Sequence, residues 1–317
     1  MARNRIQFQP GLSMPAFLKD SATEAQCERA LEGLRWPEGF RCPRCTGKTH
    51  SVLRDGARQV FQCSACRHQA SLIAGTVFQG TRLPLTTWFL AIDLISPAKT
   101  GRSALALKRH LGVSDPTAWL IQHKLLQALA EREQRDVLGG KVQVDDADLG
   151  GERNGGKVGR DSENKVAFVA AVSLTEEDPP LRVRLTPVPG FTLQAVTAWA
   201  KEPLSPGSAV FSDGRACFAA VTDAGCTHHP TGMAGRKPRA VPEFKWINTV
   251  PGNLKTSLSG CYHAFDFRKY APRYFAAFCY RFNRRFDLST RPLRLLVAAL
   301  DSKPRTLRDI RAADVRC

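Results

Sequence analysis

Two pairs of cysteines near the start of the chain have the spacing of a metal site. Cys42 and Cys45 form one Cys-x-x-Cys pair, and Cys63 and Cys66 form a second pair further along. Four thiolates from two such turns complete a tetrahedron around Zn²⁺ and leave no open position, so the ion would be structural. A redox-active pair is the alternative, but it requires a βαβ pattern of the thioredoxin type, which the sequence lacks. The sequence therefore predicts one structural Zn²⁺ on these cysteines.

Two aspartates that are far apart in sequence could form a second, catalytic metal site. Asp145 follows Val142 and Val144 in an alternating stretch, so it should lie on the strand face that the valines do not occupy, with Asp146 turned inward unless the strand has ended. Asp213 closes a different predicted strand. An isolated aspartate at a strand end is usually a turn residue, but the ends of adjacent strands can bring two carboxylates together. Oxygen ligands of this kind bind Mg²⁺, and a pair of such ions supports the cutting and joining of phosphodiesters.

The elements that must hold these residues change character along the chain. Residues 1–30 are interpreted as a leader with a short helix, and residues 31–76 as the zinc ribbon, with two short strands joined at Asp55-Gly56. Residues 80–137 have helical periodicity, interrupted at residues 112–114. Two helices around a turn that contains glycine resemble a helix-turn-helix, and an ordinary helical hairpin is the alternative.

From residue 138 the pattern changes from helices to strands. Strands are predicted at 141–149, 166–174 and 181–188, a helix at 191–201, and a further strand at 208–211 that leads to Asp213. This order is that of an RNase H-like domain, which we place at 138–290 with a helical C-terminal part, followed by a tail at 291–317. The predicted fold class is therefore multi-domain: a small zinc ribbon, an all-α helix-turn-helix segment and an α/β RNase H-like catalytic domain.

Cations and aromatic residues alternate in the C-terminal third. Phe275, Phe278 and Phe282 recur at helical spacing, which favours a place in the core over a role in stacking on bases. The arginines between and after them are expected on a face turned to solvent or DNA, where they would contact phosphates. These arginines are Arg281, Arg284 and Arg285.

The composition favours a polyanionic partner. The chain has 317 residues, a net charge of +17 and a pI near 9.8, and cations that neutralise phosphates release counterions. A basic protein without such a partner is the alternative. No run of 18 apolar residues is present, so no membrane span or membrane partner is predicted. The N-terminus does not have the pattern of a signal peptide, and ten cysteines without one fit a reducing cytoplasm.

Several short segments, in a specific order, resemble bacterial insertion-sequence transposases of the ISXO-like group, from about residue 12 to the end of the chain. The segments are Cys63 to Gln69, Ala74 to Phe78, Val144 to Gly151, Ser162 to Lys165, Ser212 to Gly214, Gly252 to Lys255 and Gly260 to His263. Members of this group join an N-terminal zinc ribbon to an RNase H-like domain of the DDE type. The resemblance implies a bacterial cytoplasmic protein that is associated with the nucleoid when bound to DNA.

The resemblance also assigns the metal-binding residues. The first and second acids fall on Asp145 and Asp213, and the third position falls on Asn248, with Lys255 as the basic residue seven positions later. Many relatives carry Glu at the third position, and one branch carries Asn, whose carbonyl coordinates Mg²⁺ without adding negative charge. Glu243 is the alternative third ligand. The expected catalytic cofactor is Mg²⁺, with two ions and with Mn²⁺ as an alternative.

The chain departs from the group at two acidic positions. Asp148 stands where relatives usually carry an aromatic residue, and Asp161 stands where they often carry a small one. Neither change removes a predicted metal ligand.

The implied function is that of a DNA transposase. It would bind the terminal inverted repeats of an insertion sequence as double-stranded DNA, cleave at the element end, and join the freed 3′-OH to target DNA. Holding two ends together would require a homo-oligomer. Two alternatives remain open: a zinc-ribbon DNA-binding regulator whose RNase H-like domain is inactive, and a nuclease or resolvase on the same fold.

Overall fold

The computed structural model describes residues 9–11, 13–56, 58–150, 165–232, 244–262 and 265–313. The chain divides into two compact units. The first comprises Met1–Pro97, Ala104–Ala128 and Phe286–Ala312, and the second comprises Ala98–Ser103, Leu129–Arg285 and Ala313–Cys317. These units do not coincide with the five predicted segments. Residues 286–312 belong to the first unit, where the backbone N–H of Val77 donates to the carbonyl of Ala299.

The first unit begins with two helices that have clear sequence signals. Helix α1 spans Met14–Ser21 and is the short helix predicted in residues 1–30; Ser13 caps it and a proline lies in its first turn. Helix α2 spans Glu24–Arg35, and the Thr23 and Gln26 side chains close a reciprocal capping box at its start. Helix α2 was not predicted, although Thr23 and Gln26 have the spacing of a capping box in the sequence.

A three-stranded antiparallel sheet follows, as expected for a ribbon. Its strands are β1 (His50–Asp55), β2 (Arg58–Cys63) and β3 (Gln69–Ser71), in the order β1-β2-β3. The predicted turn lies between β1 and β2, where Gly56 has a φ of 59°. Phe61 is fully buried, and Trp36 packs against it in an edge-on contact with 4.8 Å between ring centroids.

Helices α3 (Leu85–Ile95), α4 (Ala104–Leu111) and α5 (Asp115–Glu133) confirm the predicted helical periodicity. Gly112 has a φ of 64° in the turn between α4 and α5, a conformation that glycine adopts without strain. Lys108 of α4 and Asp115 of α5 form an exposed ion pair of 2.8 Å across this turn. The helix–turn–helix arrangement is thus present in the backbone, while its use in binding DNA stays a prediction.

The second unit contains a mixed five-stranded sheet in the order β6-β5-β4-β7-β8. Its strands are β4 (Lys141–Leu149), β5 (Val166–Leu174), β6 (Pro180–Pro187), β7 (Ala209–Ser212) and β8 (Thr227–Pro230). Strand β5 pairs antiparallel with both β4 and β6, whereas β7 is parallel to β4 and β8 is parallel to β7. The predicted order of three strands, a helix and a strand is confirmed; β8 was not predicted.

Helices cover both faces of this sheet. They are α6 (Leu193–Ala200), a 3-10 helix (Ala216–Ala224), α7 (Lys245–Cys261) and α8 (Phe267–Asn283). On one face, Val144 packs in a cluster with Trp199 of α6 and Phe218 of the 3-10 helix. On the other face, the ring of Phe168 lies 4.8 Å from that of Phe275 in α8. Two further helices, α9 (Arg291–Asp301) and α10 (Leu307–Ala312), belong to the first unit.

The expectation that the arginines of the C-terminal third face solvent or DNA is wrong. Arg281 and Arg284 are 7% and 8% exposed. Arg284 forms a 2.7 Å ion pair with Glu133, whose side chain is equally buried. Arg285 donates to the backbone carbonyls of Pro180, Leu181 and Phe282. Arg284 supplies the cation that a buried Glu133 requires, and Arg285 supplies donors to backbone carbonyls. Both guanidinium groups therefore have partners inside the unit.

These side chains also protect an edge of the sheet. Within the described residues β6 is an edge strand, so the backbone groups on its outer side lack ladder partners there. The amide of Asn283 accepts a 2.7 Å hydrogen bond from the Val183 N–H and donates a 3.1 Å bond to the Val183 carbonyl, as a neighbouring strand would. Together with Arg285, Asn283 therefore satisfies backbone groups at residues 180, 181 and 183 of this edge.

Replacing Arg284 with Met should lower the free energy of unfolding by about 3–5 kcal/mol at pH 8, because Glu133 would be left buried without its cation. Burial already raises the pKa of Glu133, and Arg284 offsets this in part. A carboxyl group whose pKa is raised by folding costs stability as the pH rises through that pKa, so the deficit should shrink at pH 5. Urea unfolding at both pH values measures this.

The control is Arg294→Met, since Arg294 and Asp287 form a longer ion pair of 3.7 Å between half-exposed side chains. Its unfolding curve should change little at either pH. A deficit for Arg284→Met that is equal at pH 5 and pH 8 would contradict this role of Glu133.

Candidate metal centres

The four predicted zinc ligands lie together in the first unit. The Sγ atoms of Cys42 and Cys66 are 3.5 Å apart, as are those of Cys45 and Cys63, and all four lie within 4.8 Å of one another. Tetrahedral Zn²⁺ with Zn–S bonds of 2.3 Å requires sulfur atoms about 3.8 Å apart. The cluster therefore has the size and the donor set that fit one zinc ion.

Both cysteine pairs are built from the same turn. The residue after each second cysteine, Thr46 or Arg67, has a φ near 60° and donates its N–H to the carbonyl of the first cysteine. Gly47 then passes so close to the sulfurs that an added Cβ would lie 3.3 Å from the Sγ of Cys63. The turns thus direct backbone and thiols towards one point.

Close packing of the four thiols shifts the pKa values of Cys42 and Cys45 in opposite directions. Desolvation raises the pKa of Cys42, but hydrogen bonds from the N–H groups of Cys45 and Arg44 outweigh it and lower the pKa to about 7. The N–H of Gly47 lowers the pKa of Cys45, but the neighbouring thiols Cys66 and Cys63 raise it more, to about 12. Four thiolates cannot share this space without a positive ion, and Zn²⁺ would supply that charge.

The two predicted catalytic acids are brought together in the second unit. Strands β4 and β7 are parallel, with Gln143 opposite Phe211. Two residues further in this register, Asp145 comes level with Asp213. One carboxylate oxygen each of Asp145, Asp146 and Asp213 lies within 4.8 Å of the others. Opposite oxygens around Mg²⁺ are about 4.2 Å apart, so the cluster fits a divalent ion with small adjustments.

A compact turn fixes Asp213. Its Oδ1 accepts a 3.1 Å hydrogen bond from the N–H of Arg215, and Gly214 between them has a φ of 84°. Ser212 is fully buried, and its hydroxyl bonds Nε2 of His228 at 2.9 Å in the neighbouring strand β8. The turn is therefore tied to the sheet before the acid and closed by its own hydrogen bond after it.

The carboxylate of Asp146 has a cation as its partner. Its Oδ2 accepts a 2.5 Å hydrogen bond from Nη1 of Arg215, and its side chain is 3% exposed. Strand β4 runs through this position to Leu149, so Asp146 lies on the inward face with Val142 and Val144, as predicted for an uninterrupted strand. No sequence pattern indicated Arg215 as a partner.

Asn248 and Lys255 both lie on helix α7, which runs unbroken through Pro251. Seven residues make two turns, so their side chains share one face, and both residues are exposed. The N–H of Ile247 in the first turn donates to Oε1 of Gln143 at 3.1 Å. Because Gln143 lies two residues before Asp145, this bond anchors the start of α7 beside the first acid.

The amide orientation of Asn248 is fixed by its hydrogen bond. Its Nδ2 donates to the carbonyl of Phe244 at 2.8 Å. A carbonyl only accepts, so the nitrogen must face it and Oδ1 must point away. Glu243 and Asp161 lie outside the described residues.

Two family models match this chain. Residues 137–283 match an ISXO2-like transposase domain, and residues 22–69 match a transposase zinc-ribbon domain. The two matches together cover more than half of the 317 residues. The chain therefore belongs to the transposases that join a zinc ribbon to an ISXO2-like domain, as its resemblance to the ISXO-like group implied.

A relative and solved structures were also found. An uncharacterized protein in the transposable element ISH50 of Halobacterium salinarum is 31% identical over 132 residues, which are 41% of this chain and 43% of the relative. The chain thus spans less than half of that relative.

Among solved structures, a pre-cleavage Mos1 transpososome covers 63% of this chain and 74% of its own, at 11% identity and a TM-score of 0.24. The Mos1 strand transfer complex covers 65% and 75%, at 12% identity and a TM-score of 0.26. Similarity at that level carries no conclusion about this chain. Within the described residues, no helix is both long and apolar enough to cross a membrane.

Cys45→Ser should reduce bound zinc from one ion per chain to well below one, because three thiolates and a hydroxyl bind Zn²⁺ more weakly than four thiolates. Amide hydrogen exchange should rise in residues 31–76 and stay unchanged in the five-stranded sheet. Cys261→Ser removes a half-buried thiol outside the cluster and should keep its zinc. Elemental analysis of protein purified without chelator gives the metal content, and far less than one zinc in the wild type would overturn the assignment.

Proposed function

We propose that this transposase cuts and joins double-stranded DNA, using divalent metal ions held by Asp145, Asp213 and Asn248. One observation carries the proposal: the parallel pairing of β4 with β7 brings the first two acids within metal-binding distance. The sheet supports an RNase H-like assignment, since three antiparallel strands are followed by two parallel strands beside the first, with helices on both faces.

The two acids have equivalent roles in this proposal. Bound Mg²⁺ ions, or Mn²⁺ in their place, would activate the attacking oxygen and stabilise the leaving oxygen in an in-line displacement at phosphorus. Asp145 and Asp213 would hold the ions at the same place, beside the ends of two paired strands, in both reaction steps. The same site can therefore serve hydrolysis at the element end and the later attack of the freed 3′-OH on target DNA, without a covalent bond to the protein.

Asn248 completes the ligand set through its amide oxygen. The hydrogen bond to the Phe244 carbonyl supports this role, because it leaves Oδ1 pointing away from the helix backbone. The bond between Ile247 and Gln143 supports it further, since it connects this turn of α7 to the strand that carries Asp145. A neutral amide contributes no charge, so the metal it helps to hold should bind more weakly than on a third carboxylate.

Lys255 is proposed to contact the DNA phosphate next to the scissile bond. It is exposed, it lies two turns along α7 on the same face as Asn248, and no ion pair occupies it among the described residues. A lysine in this position adds a point charge that attracts phosphate without defining a base sequence.

The first unit is proposed to recognise the terminal inverted repeats. The zinc ribbon and the α4–α5 helices would make these contacts, and the net charge of +17 supports binding to a polyanion. Two element ends must be held together for transposition, so we propose a homo-oligomer on DNA.

Asp145→Ala and Asp213→Ala should each abolish Mg²⁺-dependent cleavage and strand transfer on a labelled terminal-repeat duplex. Binding to the same duplex in EDTA should be retained, because removing a carboxylate removes no phosphate contact. Asp178→Ala is the matched control, since Asp178 pairs with Lys141 on the surface. Cleavage without joining by the wild type would indicate a nuclease, and binding without cleavage would indicate an inactive regulator.

Asn248→Ala should lose most activity, because it deletes a coordinating oxygen, whereas Asn248→Asp keeps an oxygen and adds charge and should retain more. Lys255→Ala should weaken cleavage more than Lys201→Ala, which removes an exposed lysine at the end of α6. The variants are compared in one cleavage assay with Glu243→Ala. Full activity of Asn248→Ala beside an inactive Glu243→Ala would transfer the third-ligand role to Glu243.

A further inference from the structure

Arg215 touches two of the three clustered acids in different ways. Its backbone N–H donates to Oδ1 of Asp213 at 3.1 Å, and its guanidinium donates to Oδ2 of Asp146 at 2.5 Å. Asp146 belongs to β4, whereas Asp213 follows β7. A single residue thus connects the strand of the first proposed metal ligand to the turn of the second.

The guanidinium is held firmly in this position. It lies over the ring of Phe191, with 4.4 Å between Cζ and the ring centroid, and the Arg215 side chain is 30% exposed. Stacking on an aromatic ring restricts the planar group and leaves its edge for hydrogen bonding. The ion pair with Asp146 is therefore oriented from two sides.

Asp146 could otherwise act as a metal ligand. One of its oxygens lies within 4.8 Å of oxygens of Asp145 and Asp213, and its buried Oδ1 has no hydrogen-bond partner among the described residues. Divalent ions bind more tightly as carboxylates are added to their ligand set. The metal could therefore be bound by Asp145 and Asp213 alone or by these two together with Asp146.

We infer that Arg215 decides this: it is a positioning residue that holds Asp146 out of the metal's coordination shell and locks β4 to the Asp213 turn. The inference rests on the proposed function, because it assumes that Asp145 and Asp213 bind the metal. With Asp146 neutralised by Arg215, two carboxylates face the ions. Without the arginine, Asp146 is a buried carboxylate that lacks a cation, and the metal is the cation within its reach.

The test is Mn²⁺ titration of the zinc-loaded full-length protein, followed by electron paramagnetic resonance, without DNA. Arg215→Met should tighten Mn²⁺ binding by about tenfold, because it releases a third carboxylate to the ion. The double variant Arg215→Met/Asp146→Asn should return to wild-type affinity, and Arg215→Lys, which keeps the charge, should stay close to it. A merely structural role for Arg215 would not tighten binding.

Asp146→Asn alone gives a second measurement that does not depend on the folding of Arg215→Met. It should bind Mn²⁺ as the wild type does, whereas Asp145→Asn should bind it at least tenfold more weakly. If Asp146→Asn weakens binding as much as Asp145→Asn, or if Arg215→Met leaves binding unchanged or weaker, the inference is overturned. If Asp145→Asn binds Mn²⁺ as the wild type does, the proposed function itself fails.

Discussion

Parallel pairing between β4 and β7 is the constraint on which the candidate catalytic centre depends. The pair from Gln143 to Phe211 fixes the register, and only this register brings Asp145 level with Asp213. Side chains alternate along a strand, so a slip of one residue would turn Asp145 into the core and Asp146 towards the opposite face. Val142 and Val144 make such a slip costly, because both valines would lose their buried cluster on the face covered by α6 and the 3-10 helix.

The same alternation connects the acids to helix α7. Gln143 and Asp145 share the face opposite the valines, and Gln143 accepts a hydrogen bond from the first turn of α7. The residue at the start of α7, Phe244, has no capping side chain, so this helix takes its cap from the sheet. A strand residue therefore fixes the start of the helix that carries Asn248 and Lys255. The proposed ligand set thus depends on a contact between residues 104 positions apart.

Local patterns in the sequence were sufficient for most elements of the sheet and for the cysteine cluster. The alternation at Val142 and Val144 predicted β4, and the apolar run from residue 166 predicted a central strand. The burial of Arg284 could not be predicted in this way, because its partner Glu133 lies 151 residues away and periodicity does not report ion pairs. The ion pair of Arg215 with Asp146 was missed for the same reason: the two residues lie 69 positions apart and meet because β4 pairs with β7.

Charge accounting links the centre to its proposed substrate. Two divalent ions carry four positive charges, and the proposed ligands Asp145 and Asp213 supply two negative ones. Asn248 is neutral, and Asp146 is already paired with Arg215. The proposed ligands would therefore leave a positive balance, which phosphodiester oxygens would neutralise when DNA enters. On this proposal the ions would bind more tightly when DNA supplies these oxygens, which would couple metal binding to the presence of the strand to be cut.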